Sequence, residues 1–298
     1  MPKQNHIPVL LREVVGLINP KQGESYLDLT AGYGGHANEI LKTTKSSAVL
    51  VDRDKIAAEA LRKRFVGKSD ISIRKLDFLS ASEELAEEKE QFDIIIADLG
   101  VSSPHLDIAS RGFSINNDGP LDMRMDQNQE LSAQVLVNTY TQKELERILK
   151  EYAQEPKARH IASLIVENRP FSTTHELATI VSKAWPGYSR VHPATRTFQA
   201  IRIAVNDELG QLRSAMPLWL KILAPGGRLA VISFHSLEDL LVKQFFNEYG
   251  GNRYDADLRV LTKKPVTCAS DELVLNPRSR SAKLRVAVKI KITKRKGG

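Results

Sequence analysis

The chain has 298 residues, 42% of them hydrophobic, which is enough to bury the core of one large domain or two ordinary ones. Its single cysteine excludes an internal disulfide and a metal site built from several cysteines, and no apolar run approaches the roughly 20 residues that span a bilayer, so we expect a cytoplasmic protein. The net charge is +7, and the positive charge is concentrated in residues 259–298, which contain 12 Lys and Arg but only 2 Asp and Glu. Such a basic segment predicts either a solvated basic surface or a nucleic-acid contact.

The first hundred residues alternate short apolar runs with helical patterns. Strands are predicted at 25–30, 47–52, 71–76 and 92–98, and helices at 35–41 and 54–65. Such alternation indicates right-handed crossovers and a parallel sheet covered on both faces.

A run of helices interrupts this alternation. Two of them open on a capping box, Thr141 with Glu144 and Thr173 with Glu176, and the helix between them is predicted to open on Pro156. We therefore predict an inserted all-helical domain at residues 109–205, between two parts of an α/β core at 1–108 and 206–298.

The sheet pattern returns near the end of the chain. A fifth strand is predicted within residues 224–236, and the final run "KLRVAVKIKI" at 283–292 alternates apolar with polar residues, as an antiparallel edge or hairpin strand does. A parallel sheet that ends in an antiparallel hairpin is more typical of a methyltransferase than of a dinucleotide-dependent dehydrogenase. We predict a Rossmann-like class I methyltransferase sheet carrying an inserted all-helical domain.

Three glycines follow the first predicted strand directly. Gly32, Gly34 and Gly35 form a GxGG pattern rather than the GxGxxG of dinucleotide binders, and they suit either a tight turn with positive φ or a close approach of the backbone to a ligand. Asp52 ends the second strand 20 residues after Gly32, where an acidic residue accepts hydrogen bonds from ribose hydroxyls.

Polar and aromatic residues also end the next two strands. Asp77 and Phe78 follow the third, where one could accept from an amino group and the other lie against a purine, and Asp98 ends the fourth. The carboxyl ends of parallel strands converge on one crevice. Because the chain has no GxxxxGK[ST] motif and few basic residues near the glycines, a ligand with adenosine and a charged amino acid fits better than a pyrophosphate.

Several segments together resemble the bacterial 16S rRNA cytosine-N4 methyltransferases, the ribosomal RNA small subunit methyltransferase H family. They run in the expected order from residue 6 to about 285 and include "AGYGGHA", "DLGVSSPHLD", "GPLDMRMD", "HPATRTFQAIRI" and "ISFHSLED". The resemblance implies S-adenosylmethionine as cofactor and a decoding-centre (P-site) cytidine as substrate; we expect no metal. It implies 16S rRNA of the small ribosomal subunit as partner, and we also consider a homodimer.

The resemblance further implies which residues hold the cofactor. These are Gly34, Gly35, His36, Asp52, Phe78, Asp98 and His105. His105 stands where the family usually has a glutamine, and an imidazole cannot reproduce the paired donor and acceptor of an amide. A second departure is "YAQEP" at 152–156, where the family tends to carry Gly-Glu-Glu.

Methyl transfer to an exocyclic amine requires alignment of nitrogen, methyl and sulfur rather than a covalent nucleophile. Ser102 and Ser103 could accept hydrogen bonds from the cytosine amine, and His235 could either take the released proton or form a hydrogen bond within the core. Several arginines of the helical insertion could hold RNA or lie on solvated faces of a lid: Arg159, Arg169, Arg190, Arg196 and Arg202.

Two other functions remain open from the sequence alone. A nicotinamide-dependent oxidoreductase would share the first strands and the position of Asp52. A non-catalytic RNA-binding assembly factor would share the basic surface and would leave the cytidine unmethylated.

Overall fold

The structure is a computed structural model that describes residues 8–100, 107–251 and 256–290. The chain divides into two compact units. The sheet unit combines the chain up to Gly100 with the chain from Leu209 onward, and the helical unit runs from Val101 to Glu208. The helical unit thus extends a few residues beyond the range 109–205 expected from the sequence.

A seven-stranded sheet forms the centre of the sheet unit within the described residues. Its strands are β1 (Tyr26–Asp28), β2 (Ala48–Val51), β3 (Ile71–Arg74), β4 (Phe92–Asp98), β5 (Leu223–Ser233), β6 (Leu258–Val260) and β7 (Lys283–Lys289). The spatial order is β3-β2-β1-β4-β5-β7-β6, and the first five strands pair in parallel.

The last strand enters the sheet in the opposite direction. β7 pairs antiparallel with both β5 and β6, which confirms the direction predicted from its alternating sequence. It lies between these two strands rather than at the sheet edge, and a helical segment rather than a hairpin turn connects β6 to β7. This order, with an antiparallel seventh strand between the fifth and the sixth, is the class I methyltransferase arrangement predicted above. β6 was not predicted, because three residues are too short to show a period of two.

Helices cover both faces of this sheet. Those of the sheet unit are α1 (Leu11–Ile18), α2 (Gly35–Thr44), α3 (Lys55–Arg64), α4 (Phe78–Glu87), α10 (Glu208–Ile222), α11 (Ser236–Tyr249) and α12 (Ser270–Leu275), α10 beginning on the last residue of the helical unit. Successive residues of β4 belong to opposite cores, with Ile95 packed in the cluster around Trp219 and Ile94 in the cluster around Tyr26. The continuous apolar run of β4 is therefore buried on both sides, as a central parallel strand requires.

The helical unit has its own core. Its helices are α5 (Ala133–Thr139), α6 (Gln142–Ala153), α7 (Ala158–Glu167), α8 (Thr174–Ser182) and α9 (Thr195–Asn206), preceded by a 3₁₀ turn at Ala109–Arg111. Both predicted capping boxes are present, at the starts of α6 and α8. α7 begins at Ala158, two residues after the predicted Pro156. In the described part of the chain, no helix is both long and apolar enough to cross a membrane.

Candidate active site

The carboxyl ends of the central strands are joined by hydrogen bonds. The backbone amide of Asp98, at the end of β4, donates to Thr30 Oγ1 just beyond β1 at 2.6 Å. The next amide, of Leu99, donates to the Ile232 carbonyl of β5 at 2.9 Å. The ends of β1, β4 and β5 therefore form one connected edge, and the predicted site residues that the structure describes in the sheet unit lie along it or in its loops.

The glycine turn after β1 has the geometry that only glycine adopts readily. Gly32 and Gly34 have φ of 52° and 74°, and the amide of Gly34 donates to the Ala31 carbonyl at 2.7 Å. A Cβ on Gly34 would lie 2.9 Å from the ring of Phe65, whereas one on Gly32 would meet only the Thr30 carbonyl, at 3.9 Å. Gly34 is thus required by packing inside the protein, while Gly32 faces open space on the side where a ligand can approach.

The next glycine is constrained from another direction. A Cβ on Gly35, the first residue of α2, would lie 2.4 Å from the ring of Pro8. The following side chain, His36, is buried, and its Nε2 lies 3.0 Å from the carbonyl of Val9. The chain before α1 therefore packs directly on the start of α2 and fixes the position of the glycine turn.

Asp52 supports the glycine turn from the end of β2. Its Oδ2 accepts from the amide of Gly32 and its Oδ1 from the amide of Asp54, both at 2.8 Å. Two carboxylate oxygens together can accept about four hydrogen bonds, so these contacts are compatible with a ribose hydroxyl as a further donor. The predicted acidic residue is thus also the one that holds the glycine turn against β2.

The two residues that follow β3 have local structural roles. The Asp77 carboxylate caps α4 by accepting from the amides of Leu79 and Ser80 at 2.9 and 2.8 Å. The ring of Phe78 is buried and packs edge to face on Trp219, with centroids 5.9 Å apart. The ring of Phe78 is therefore engaged in the core and does not present the face to a purine that the sequence suggested.

Asp98 is partly exposed as a residue, but its carboxyl group has a buried oxygen that is unsatisfied. Its Oδ1 has no hydrogen-bond partner among the described residues, although buried polar atoms nearly always have one. Burial raises the pKa of Asp98 well above its usual value, and the nearby charges of Asp28 and Glu238 raise it further. This group would gain most from a cationic partner.

Asp28 was not predicted as a site residue. It is buried at the end of β1, where its Oδ2 accepts from the Tyr26 hydroxyl at 2.6 Å and its Oδ1 from the amide of Thr30 at 3.2 Å. Burial raises the pKa of Asp28 to about 6, against the lowering effect of these two hydrogen bonds. The available sequence signal was the carboxylate inside the apolar run "YLDLT".

His235 follows β5 and is the N-cap of α11. Its Nδ1 accepts from the amide of Glu238 at 3.4 Å, and Glu238 Oε2 accepts in return from the amides of Phe234 and His235. Nε2 lies 3.3 Å from Glu238 Oε1. The capping contact uses the lone pair of Nδ1 and places the proton on Nε2, which is buried and has no hydrogen bond among the described residues. The geometry therefore favours the hydrogen-bonding role, as the cap of α11, over the role of proton acceptor.

Three of the predicted residues, Ser102, Ser103 and His105, lie outside the described residues. The described residues of the edge nevertheless combine a glycine turn open at Gly32, an acidic residue at the end of β2 and the unsatisfied carboxyl oxygen of Asp98. This combination suits a ligand with a sugar diol and a positive charge, and it offers no cluster of basic side chains for a pyrophosphate.

Comparison with known proteins covers nearly the whole chain. The sequence profile of the MraW methylase family matches residues 3–290. The ribosomal RNA small subunit methyltransferase H of Synechocystis sp. is 48% identical over 297 residues, which cover 96% of this chain and 94% of that protein. The protein of the same name from Halothermothrix orenii is 42% identical over 310 residues, covering 96% and 98%. Among solved structures, the N-methyltransferase NodS from Bradyrhizobium japonicum aligns with 95% of this chain and 93% of its own, with a TM-score of 0.44 and 12% identity.

Proposed function

Because the chain belongs to the MraW methylase family and is therefore a methyltransferase, we propose that it transfers the methyl group of S-adenosylmethionine to the N4 amine of a decoding-centre (P-site) cytidine of 16S rRNA. The observation that carries this proposal is the near full-length similarity to proteins named ribosomal RNA small subunit methyltransferase H, at 42–48% identity. The partner is then the small ribosomal subunit, which places the enzyme in the cytoplasm.

The residues at the sheet edge fit the proposed cofactor. S-adenosylmethionine, when bound, supplies an electrophilic methyl group on a positively charged sulfur. Asp98 would lie against the positive charge of the cofactor, since a carboxyl group with a raised pKa and a buried, unsatisfied oxygen gains from a cation. Asp52 would accept from the ribose, and the backbone of Gly34, Gly35 and Phe78 would line the crevice.

The remaining residues of the proposed site follow β4 in the sequence and lie outside the described residues. Ser102 and Ser103 would accept hydrogen bonds from the cytosine amine and pull its lone pair out of conjugation with the ring. His105 would take the place that a glutamine usually has in the family. His36 and His235 support the site from within: one is packed under the start of α2, and the other is the cap of α11.

The structure divides the five arginines considered for RNA contact into two groups. Arg169 donates to the carbonyls of Val137 and Tyr140, and Arg202 forms a two-pronged ion pair with Glu208 at 2.8 Å. These two arginines hold the helical unit together. The other three are exposed, and we assign the RNA contact to them: Arg159, Arg190 and Arg196.

The test of the proposed function is the methylation state of one nucleotide. Mass spectrometry of 16S rRNA from cells that lack the protein should show the P-site cytidine without its N4 methyl group. Purified enzyme with S-adenosylmethionine should restore that group on small subunits from those cells. Binding to small subunits without methylation would instead favour an assembly factor, and methylation of a different nucleotide would contradict the proposed target.

A further inference from the structure

The loop between α8 and α9 carries an aromatic side chain that contacts nothing in the described protein. Tyr188 is 100% exposed, and it lies between Gly187 and Ser189, which are exposed as well. Isolated hydrophobic residues are common on protein surfaces, so exposure alone indicates little. The charge of the surrounding sequence and the structure of the loop are stronger indications that Tyr188 belongs to a binding surface.

The segment that contains Tyr188 has no acidic residue. Between Glu176 and Asp207 the chain has no Asp or Glu over 30 residues, although it has 36 acidic residues in all. The same segment carries four basic residues, Lys183, Arg190, Arg196 and Arg202. Arg202 is paired with Glu208, while Lys183, Arg190 and Arg196 are exposed. The exposed ring therefore lies in a stretch of purely positive charge.

The start of the loop is attached to the core of the helical unit. Ala184 is buried, and its carbonyl accepts from Lys157 Nζ at 2.7 Å. The same Nζ lies 4.1 Å from the centre of the Trp185 ring, in a cation–π contact. Pro186 follows, so the chain leaves the core with a restricted φ.

The end of the loop is attached in the same way. The amide of Ala194 donates to His192 Nδ1 at 3.1 Å, and the amide and hydroxyl of Thr195 donate to the His192 carbonyl at 2.9 and 2.7 Å. Within the tip, Ser189 Oγ donates to the carbonyl of Val191 at 2.7 Å. The loop presents Tyr188 from fixed ends, which reduces the entropy lost when a ligand binds.

An exposed aromatic face among unopposed cations is the arrangement that binds single-stranded nucleic acid. The cations meet phosphates, and the ring stacks on an unpaired base. A protein partner with an acidic surface would satisfy the cations but would leave the ring without a flat partner. We propose that the segment Gly187–Val191 is an RNA-contacting loop in which Tyr188 stacks on an unpaired base of the substrate and Arg190 contacts the adjoining phosphate.

This inference rests on the proposed function, because it takes RNA as the substrate, but it can be tested without methyl transfer. Binding of a fluorescein-labelled single-stranded oligocytidine RNA is measured by anisotropy at low salt and without cofactor. Tyr188→Ala should weaken binding about 5- to 150-fold, the range that corresponds to the loss of one stacked base. Tyr188→Phe keeps the ring and should bind like wild type, whereas Tyr188→Leu keeps apolar bulk without a ring and should resemble Tyr188→Ala.

Two further measurements separate stacking from damage to the fold. All three variants should keep the thermal unfolding midpoint and the S-adenosylmethionine affinity of the wild type, since Tyr188 is fully exposed. On unmethylated small subunits, Tyr188→Ala should raise KM and leave kcat nearly unchanged.

The outcomes distinguish this inference from the proposed function. Wild-type affinity in Tyr188→Ala or in Tyr188→Leu overturns stacking, and so does a Tyr188→Phe variant as weak as Tyr188→Ala. If wild-type enzyme leaves the P-site cytidine unmethylated while the oligocytidine series behaves as described, the proposed function fails and the RNA-contacting loop stands.

Discussion

Asp98 and Asp28 both lie at the carboxyl end of the sheet, but their surroundings differ: Asp28 is buried, whereas Asp98 is partly exposed with a buried Oδ1. Asp28 has the Tyr26 hydroxyl and the Thr30 amide as donors, whereas Asp98 Oδ1 has none among the described residues. An unsatisfied buried acid costs stability, and proteins tolerate such costs at functional sites. The sequence could indicate Asp98 by its place at a strand end, but not its missing partner, which depends on how three strands meet.

Asp98→Asn should stabilise the protein without cofactor, and more so at high pH. The raised pKa of Asp98 means that the folded protein holds this proton to a higher pH than the unfolded chain does. The contribution of Asp98 to the free energy of unfolding is therefore greatest below the pKa of an unfolded aspartate, and it is lost as pH rises through the raised pKa of the folded protein. Asparagine does not titrate, so it removes this loss. Urea unfolding at pH 5 and pH 8 should show a gain that grows with pH to about 1–3 kcal/mol. A gain that is equal at both pH values would contradict the raised pKa.

The same variant should bind S-adenosylmethionine more weakly. In the wild type, cofactor affinity should increase as pH rises through the raised pKa, because the ionised carboxylate attracts a cation better than the acid does. An asparagine side chain cannot ionise, so calorimetric titrations of Asp98→Asn should show less of this pH dependence. Asp28, whose pKa is about 6, is present in both proteins and accounts for the pH dependence of cofactor affinity that remains in Asp98→Asn.

His235 provides a second prediction for a single residue. His235→Asn keeps a good N-cap without an imidazole, and His235→Ala removes both. If the ring only caps α11, single-turnover methylation should be unchanged in His235→Asn, while His235→Ala should lose about 1 kcal/mol of stability. A fall of about 100-fold or more in the single-turnover rate of His235→Asn would indicate a proton acceptor.

At the scale of elements, the helices with strong local signals were predicted well and those with weak signals were missed. The capping boxes of α6 and α8 are sequence patterns that specify the first residue of a helix. α1, α4, α5 and α12 were not predicted. α4 begins on Asp77 and Phe78, which had been interpreted as a strand end with ligand contacts. The side chain of Asp77 serves the helix, and only tertiary packing against Trp219 shows where Phe78 lies.

The capping box of α8 predicts a specific loss of stability. Thr173 Oγ1 accepts from the amide of Glu176, and Glu176 Oε2 accepts from the amide of Thr173 at 3.0 Å. Thr173→Ala should cost about 1 kcal/mol in urea unfolding, because a helix amide loses its acceptor. Thr173→Ser keeps the hydroxyl and is the matched control; equal losses in the two variants would assign the effect to the methyl group instead.

The exposed arginines of α7 and α9 predict an electrostatic contact. Arg159→Glu and Arg196→Glu should each weaken binding to small subunits and make its salt dependence shallower, because fewer phosphates are neutralised, with cofactor affinity unchanged. Arg147→Glu on α6 is the control, because Arg147 is exposed and already opposed by Glu151 at 3.3 Å. Equal effects at all three positions would indicate a general charge effect rather than a binding surface.

At the scale of the whole molecule, the α/β sheet could be predicted because its central parallel strands read as continuous apolar runs. The alternating sequence of β7 indicated its antiparallel direction, but not its internal place between β5 and β6, which depends on pairing across the fold. Arg202 and Arg169 show that the sequence does not reveal whether an arginine side chain is engaged within the fold or available to RNA. Both looked available for RNA, yet one is paired with Glu208 and the other donates to two carbonyls. Whether an arginine is structural or free depends on contacts across the fold, which composition does not encode.

The uneven charge of the chain predicts how binding depends on salt. Residues 291–298 contribute four Lys and Arg directly after β7, so ending the chain at Ile290 leaves the described strand intact. The slope of log affinity for small subunits against log salt should decrease by up to about 0.7–0.9 for each phosphate that these cations neutralise in the full chain. Cofactor affinity should not change. An unchanged slope would show that these cations are only solvated.

The place of β7 in the sheet has a consequence for the order of folding during synthesis. β5 pairs with β4 on one side and with β7 on the other, yet β4 ends at Asp98 and β7 begins only at Lys283. The helical unit is contiguous and has all its residues once Glu208 has been made, whereas the sheet unit is incomplete until β7 has left the ribosome. A nascent chain should therefore carry a folded helical unit on an open, half-paired sheet whose β5 edge stays exposed until β7 is made.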